Sequence, residues 1–180
     1  MRLDIAANIH LRSLERTDAE RIFELVDQNR ERLGKWLPWV SKTQTVEDSV
    51  AFLEHVEANH ADKMALHCGI ISDSQLVGLI GLRLETNRYT ANIGYWLCES
   101  ASGKGLVTCS VRSLCCYGFE QLNLERIEIR AGTENTKSWM VPERLGFSKE
   151  GRLRRCEKIG DRFIDHYLYS LLKTDKVDWR

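Results

Sequence analysis

Gly103 and Gly105 bracket Lys104 in the stretch C-E-S-A-S-G-K-G-L-V-T, Cys98 to Thr108. An apolar run, N-I-G-Y-W-L-C, comes just before it. A helical pattern, L-V-T-C-S-V-R-S-L-C-C-Y-G-F-E-Q-L, comes just after. A helix N-terminus carries unpaired backbone N–H groups and the positive end of the dipole. Glycines ahead of it let those groups approach an anion such as a phosphate. The same two glycines also suit a plain tight turn that needs positive φ, so the motif alone leaves both readings open. A nucleotide P-loop is excluded, because G-x-x-x-x-G-K-[ST] is absent. A dinucleotide fingerprint fails too, with no third glycine and no regular parallel β-α-β ladder around it.

Other reactive types are weaker candidates. Asp165 and His166 are consecutive on a strand-like run, so their side chains point to opposite faces and do not make a dyad. Cys109, Cys115 and Cys116 follow helical core spacing, Cys68 and Cys98 fall in strand-like runs, and Cys156 stands alone. There is no C-x-x-C and no Cys/His spacing for zinc, so no metal site is expected and the thiols read as free. Free thiols suit a reducing cytoplasmic setting.

The bulk numbers set the frame for these groups. The chain has 180 residues, with 26 Lys+Arg against 26 Asp+Glu and a pI near 7. Zero net charge argues against a general nucleic-acid binder. A hydrophobic content of 43% and a charged content of 29% suit a globular chain read as one domain over residues 1–180. No run of about 18 apolar residues suggests a membrane span. The first ten residues, M-R-L-D-I-A-A-N-I-H, lack the apolar core of a signal peptide.

The elements that must position the loop follow from periodicity. H-L-R-S-L reads as a first strand. Thr17-x-x-Glu20 reads as a capping box opening a helix with Ala19, Ile22, Phe23 and Val26 on one face. Pro38 in K-W-L-P-W-V breaks the helical pattern, and Thr45 caps a further helix. M-A-L-H-C-G-I-I-S and Q-L-V-G-L-I-G-L-R-L form a hairpin, and Ala91 to Cys98 a third strand. After the glycine loop and its helix comes the alternating strand R-I-E-I-R-A. Asn135 then caps a helix that Gly146 ends, and two strands finish the chain. The order β-α-α-β-β-β-α-β-α-β-β predicts an α+β, mixed α/β sheet with helices on its faces.

Several ordered blocks carry a resemblance. They are W-L-P-W (Trp36–Trp39), I-G-Y-W-L (Ile93–Leu97), S-G-K-G-L-V-T (Ser102–Thr108), R-I-E-I-R (Arg126–Arg130), E-N-T-K-S (Glu134–Ser138), V-P-E-R-L-G-F (Val141–Phe147) and F-I-D-H (Phe163–His166). From about His10 to Leu172 the chain resembles the GCN5-related N-acetyltransferases (GNAT superfamily). Within them it is similar to the RimL-like branch, which acetylates protein N-termini, including that of a ribosomal protein beginning with serine. The resemblance implies a mostly antiparallel central sheet flanked by helices, with acetyl-CoA as co-substrate and its pyrophosphate on Ser102, Gly103, Lys104, Gly105, Leu106, Val107 and Thr108. The superfamily pattern [Gln/Arg]-x-x-Gly-x-[Gly/Ala] is met here only at Gly105. Ser102 stands in place of a long side chain and Val107 in place of a small one.

The resemblance also implies roles. The Leu97 N–H would face the thioester oxygen, Glu157 would take the proton of the amine, and Ser138 would protonate the departing thiolate. Asn135 would hold the pantetheine or order its turn, and Trp36, Trp39 and Tyr95 would shape the acceptor cleft. Read from the residues, Glu157 lies among Arg152, Arg154, Arg155 and Lys158, which suits a surface ion pair as well as a base. Trp36 and Trp39 suit ordinary packing equally. The implied activity is acetyl transfer to the N-terminal α-amine of a protein such as a ribosomal protein, in the cytoplasm, with a homodimer in keeping with related proteins. Two alternatives stand beside it: transfer to a small amine such as a polyamine or drug, and a CoA-binding regulator with weakened catalysis.

Overall fold

The computed structural model describes residues 1–61, 64–86, 89–175, 177 and 179, with the side chains of 59–61 left aside. Eight strands form one sheet in the order β1-β2-β3-β4-β5-β6-β8-β7. They are β1 (Arg2–Ala6), β2 (Ile9–Ser13), β3 (Ala65–Ser72), β4 (Gln75–Leu84), β5 (Thr90–Leu97), β6 (Arg126–Gly132), β7 (Ser148–Ile159) and β8 (Arg162–Leu172). Every pairing is antiparallel except β5 with β6. The helices are α1 (Ala19–Gln28), α2 (Arg30–Gly34), α3 (Val46–Ala61), α4 (Leu106–Gln121) and α5 (Thr136–Arg144).

Directly paired residues share a face of the sheet, so the registers sort the side chains. Ile80, Leu82, Ile93, Tyr95, Ile127, Ile129 and Tyr169 share one face. Helices α4 and α5 lie on it: a Cβ on Gly118 of α4 would sit 3.1 Å from Ile127 and 3.4 Å from Leu82, and the Tyr169 hydroxyl donates to Glu143 of α5 at 2.9 Å. The opposite face carries His67, Gly81, Trp96, Glu128, Gly132 and His166. Helix α3 covers part of it, with the Phe52 ring edge-on to His67 at 6.0 Å. The buried core joins both layers through Leu11, Leu25, Ile70, Leu82, Leu114, Ile127 and Tyr169, each under 3% exposed.

Two local expectations are corrected. The capping box ahead of α1 is built from Glu15 and Asp18, not Thr17 and Glu20. Asp18 wins because it also accepts two bonds from Arg12, at 2.6 and 2.7 Å, besides the Glu15 N–H at 2.9 Å. Asn135 occupies the N-cap position of α5, but its side chain makes no capping bond. Its carbonyl alone receives the N–H groups of Ser138 (2.9 Å) and Trp139 (3.1 Å).

Candidate active site

The parallel pair β5–β6 is where the sheet opens. Its register runs from Thr90↔Arg126 to Ile93↔Ile129 and stops there. Both strands continue: β5 to Leu97, still paired with β4, and β6 to Gly132, paired with β8. A widening gap therefore lies between Gly94–Leu97 on one side and Arg130–Gly132 on the other. The ladder states which backbone groups face it. The Cys98 N–H donates to the Val77 carbonyl at 2.8 Å. In an antiparallel ladder hydrogen-bonded and non-bonded pairs alternate. Leu97, opposite Gly78, and Tyr95, opposite Ile80, thus turn their N–H and C=O away from β4 and towards the gap. Gly78 permits this close approach, since a Cβ there would lie 2.8 Å from the Leu97 Cα.

Beyond Leu97 a short turn, Glu99–Ala101, leads into the glycine loop. Ser102 folds its hydroxyl back to the Cys98 carbonyl at 3.1 Å, so it stabilises the turn rather than reaching outward. Gly103 (φ 80) and Gly105 (φ 74) both have left-handed backbones. A Cβ at either would meet nothing within 4 Å, so the backbone conformation, not crowding, calls for glycine. Gly105 is the N-cap of α4 and supplies no side-chain acceptor, which leaves the first-turn N–H groups of Leu106, Val107 and Thr108 pointing out of the helix end. Lys104 is exposed beside them. Val107 is half-buried against the core, so its branched side chain is accommodated inward, away from the N–H groups. These features fit an anion held by backbone.

Across the gap from the loop, α5 contributes Ser138 in its first turn. Pro142 lies inside this helix and has no N–H to give to the Ser138 carbonyl four residues back. The Tyr95 hydroxyl fills that vacancy, donating to the Ser138 carbonyl at 2.9 Å. The Ser138 hydroxyl in turn lies 3.4 Å from the Tyr95 oxygen. Loss of hydration pushes the Tyr95 phenol up to about 12, partly offset by its bond to Ser138. Tyr95 therefore faces the α4/α5 side of the sheet and touches Ser138, while its neighbour Trp96 faces the other side. The Asn135 side-chain amide makes no hydrogen bond among the described residues and remains available.

The opposite face holds the tryptophans and the glutamate. The Trp39 and Trp96 rings lie 6.0 Å apart, tilted by 52°, and Trp39 is 36% exposed. Trp36 covers Gly132, where a Cβ would lie 3.2 Å from its ring and 3.6 Å from Ile164. Its indole also lies 5.8 Å from the Arg162 guanidinium. A cavity of about 330 Å³ opens beside Trp36, bounded by Thr133, Glu134, Arg162, Ile164 and Asp165.

Glu157 reaches this face by way of a bulge. Leu153 pairs with His166 and Glu157 with Ile164, so β7 spends four steps where β8 spends two. Arg155, inside the bulge, has φ 50. Asp165 braces it, accepting from the Arg155 N–H at 2.7 Å and from Arg152 Nε at 2.6 Å. These bonds hold the Asp165 carboxyl below its ordinary range, the Arg155 N–H contributing most and Arg152 next. Thus Asp165 is structural, and Glu157 joins Ile164 and His166 on the Trp36 face. Arg152 is taken by Asp165, while Arg155 and Lys158 lie over the Phe163 ring at 4.6 and 5.9 Å. Half-buried Glu157 makes no ion pair or hydrogen bond among the described residues, so of the two readings open in the sequence the surface ion pair is not formed there. His166, half-buried beside it, is held below its ordinary value, chiefly by loss of hydration.

The predicted residues therefore fall into two groups, one on each face of the sheet. Leu97, the loop from Ser102 to Thr108, Asn135, Ser138 and Tyr95 lie on or open to the α4/α5 side. Trp36, Trp39 and Glu157 lie on the other. Sequence reasoning missed Asn29 and Arg32, which bond to the end of β5. Their only sequence signal is an Asn and an Arg three apart, ahead of W-L-P-W.

Comparison with known proteins agrees with this geometry. The model of the acetyltransferase (GNAT) domain family matches residues 8–148. A putative ribosomal N-acetyltransferase, YdaF of Bacillus subtilis (strain 168), is 38% identical over 172 residues, covering 93% of both chains. The ribosomal-protein-serine acetyltransferase of Escherichia coli (strain K12) is 27% identical, covering 93% of this chain and 94% of its own. Among solved structures, the microcin C7 self-immunity acetyltransferase MccE, in complex with acetyl-CoA and AMP, superposes with a TM-score of 0.90 at 27% identity. That likeness covers 93% of this chain and 94% of the other. With its sheet split between β5 and β6 and an uncapped glycine turn opening α4, this chain belongs to the GNAT family and is an N-acetyltransferase.

Proposed function

We propose that the chain transfers the acetyl group of acetyl-CoA to the N-terminal α-amine of a protein, with a ribosomal protein as the acceptor class, by direct attack of the amine on the thioester. The observation that carries this reading is that Glu157 and Ser138 lie on opposite faces of one sheet that opens between β5 and β6, with the Leu97 N–H directed into the opening. The family and the ribosomal acetyltransferases among its relatives support it.

In this reading the first-turn N–H groups of α4 and Lys104 hold the CoA pyrophosphate, and the pantetheine runs along β5 towards Leu97, with the Asn135 amide beside it. The acceptor enters from the Trp36, Trp39 and Trp96 side. The amine nitrogen attacks the carbonyl carbon, forming the C–N bond, while Glu157 takes the amine proton. Charge developing on the carbonyl oxygen is met by the Leu97 N–H. The C–S bond then breaks and the sulfur takes a proton from the Ser138 hydroxyl, which is refilled from Tyr95. The proton on Glu157 leaves to water as Tyr95 regains one, so the protons balance.

Thiol release from acetyl-CoA, measured against a panel of peptides and polyamines, tests the acceptor class. Turnover is expected on peptides with a free N-terminus and to be lost when that terminus is blocked. Turnover on polyamines alone contradicts the reading.

A further inference from the structure

We propose that Arg32 and Asn29 are positioning residues for the donor, fixing the end of β5 so that the Leu97 N–H meets the thioester oxygen. The inference rests on the acetyl-transfer reading above. Asn29 lies at the junction of α1 and α2, and Arg32 is three residues on, on the same side of the chain. Arg32 donates through Nη2 to the Leu97 carbonyl. The same Nη2 bonds Asn29 Oδ1 at 3.2 Å, and that oxygen also accepts the Glu99 N–H at 2.9 Å. Asn29 is 9% exposed, and its Nδ2 is anchored on the Leu25 carbonyl at 2.8 Å.

The two backbone groups held this way, the Leu97 carbonyl and the Glu99 N–H, flank Cys98. One side-chain pair on α1–α2 thus sets both the exit of β5 and the entry to the turn Glu99–Ala101, which delivers the loop Ser102–Gly105. Gly78 closes the opposite side of the same residue. Together they hold Leu97 with its N–H towards the gap. Arg32 Nε is buried and has no hydrogen-bond partner among the described residues. The hold on Asn29 and Leu97 therefore rests on Nη2 and not on Nε. Both bonds leave one nitrogen, so the bridge depends on where that nitrogen is held: the rigid guanidinium plane fixes it, whereas a lysine ammonium on a flexible four-carbon stem is not held there.

The test combines steady-state kinetics with the Leu97 amide resonance in the native protein and in Arg32→Ala and Arg32→Lys. In the native protein the Leu97 amide is expected to move when acetyl-CoA replaces CoA, and in both variants that displacement is expected to disappear. Turnover with an N-terminal peptide is expected to fall by about 10- to 100-fold, the scale of a small misplacement of reacting groups, while the Kd of CoA changes less than about threefold. Guanidinium ion is expected to restore part of the turnover of Arg32→Ala but not of Arg32→Lys. A native-like Leu97 displacement in a folded variant overturns the inference, as does a loss of turnover that only mirrors loss of CoA binding. An immobile Leu97 amide in the native protein overturns the donor geometry itself, and this inference with it. Displacement in the native protein without turnover on any N-terminal peptide removes the acceptor reading and leaves the Arg32 test decided by the amide alone.

Discussion

The two walls of the gap are made differently. In the proposed reading the groups of the donor wall are mostly backbone: the Leu97 N–H, and the N–H groups of Leu106, Val107 and Thr108 behind two left-handed glycines. The groups of the proposed acceptor wall are side chains, Trp36, Trp39, Trp96 and Glu157, carried by a loop, a strand and a bulge. A backbone wall depends on chain conformation, and on this reading it would tolerate Ser102 and Val107, whose side chains turn to the Cys98 carbonyl and to the core. A side-chain wall can change its acceptor by exchanging one ring. One fold can therefore keep a common donor while its relatives differ in what they acetylate.

The largest expected effect breaks the acceptor wall alone. Glu157→Gln is expected to lower kcat by about 10²- to 10⁴-fold, the range of general-base catalysis, with the Kd of acetyl-CoA unchanged in calorimetry. Equal losses in both would merge the two walls. Tyr95→Phe tests the link between them. It removes the donor to the Ser138 carbonyl, which Pro142 leaves otherwise unserved, and is expected to cost about 1–3 kcal/mol in denaturant unfolding as well as slowing turnover.

The same phenol has a pH signature. Its folded pKa is raised, from 10 to about 12. The unfolded chain therefore ionises first, and the Tyr95 contribution is whole below pH 10 and lost as pH rises towards about 12. Tyr95→Phe is expected to remove that part of the alkaline slope.

Gly105→Ala tests the donor wall without touching the other. With nothing within 4 Å of the new methyl, the cost is that of left-handed backbone, about 1–2 kcal/mol. Acetyl-CoA binding is expected to weaken, with acceptor preference unchanged. The smallest effect lies away from both walls. Arg126, and after it Ser170, holds the Glu150 carboxyl down from 4.5 to about 2. A depressed carboxylate contributes above its unfolded value and loses that contribution as pH falls towards about 2. Glu150→Gln is expected to flatten acid unfolding in that window and leave turnover untouched.

Much of the scaffold was legible in the residues, because strands such as M-A-L-H-C-G-I-I-S and the helix after Gly105 repeat their period long enough to be read. β1 was not. It lies at a sheet edge, exposed on one face and only half-buried on the other, with a register shift between Asp4 and Ala6, so it carries little apolar signal. In the site, the glycine loop could be found from residue type, since positive φ selects glycine. The bulge at 154–156 could not: it places arginine, not glycine, at φ 50 and relies on Asp165, ten residues away, to hold it. The roles of Pro142 and Arg32 were hidden for a similar reason. Each acts through a backbone carbonyl, and a carbonyl leaves no mark on the residue that bears it.

The role of Glu157 and the choice of acceptor are decided together by the site of acetylation on a peptide that begins with serine and contains an internal lysine, read by mass spectrometry after incubation with acetyl-CoA and either the native protein or Glu157→Gln. One acetyl group is expected on the N-terminal α-amine, formed rapidly by the native protein and far more slowly by the variant. Acetylation of the lysine alone, or of the α-amine at equal rates by both proteins, would contradict that expectation.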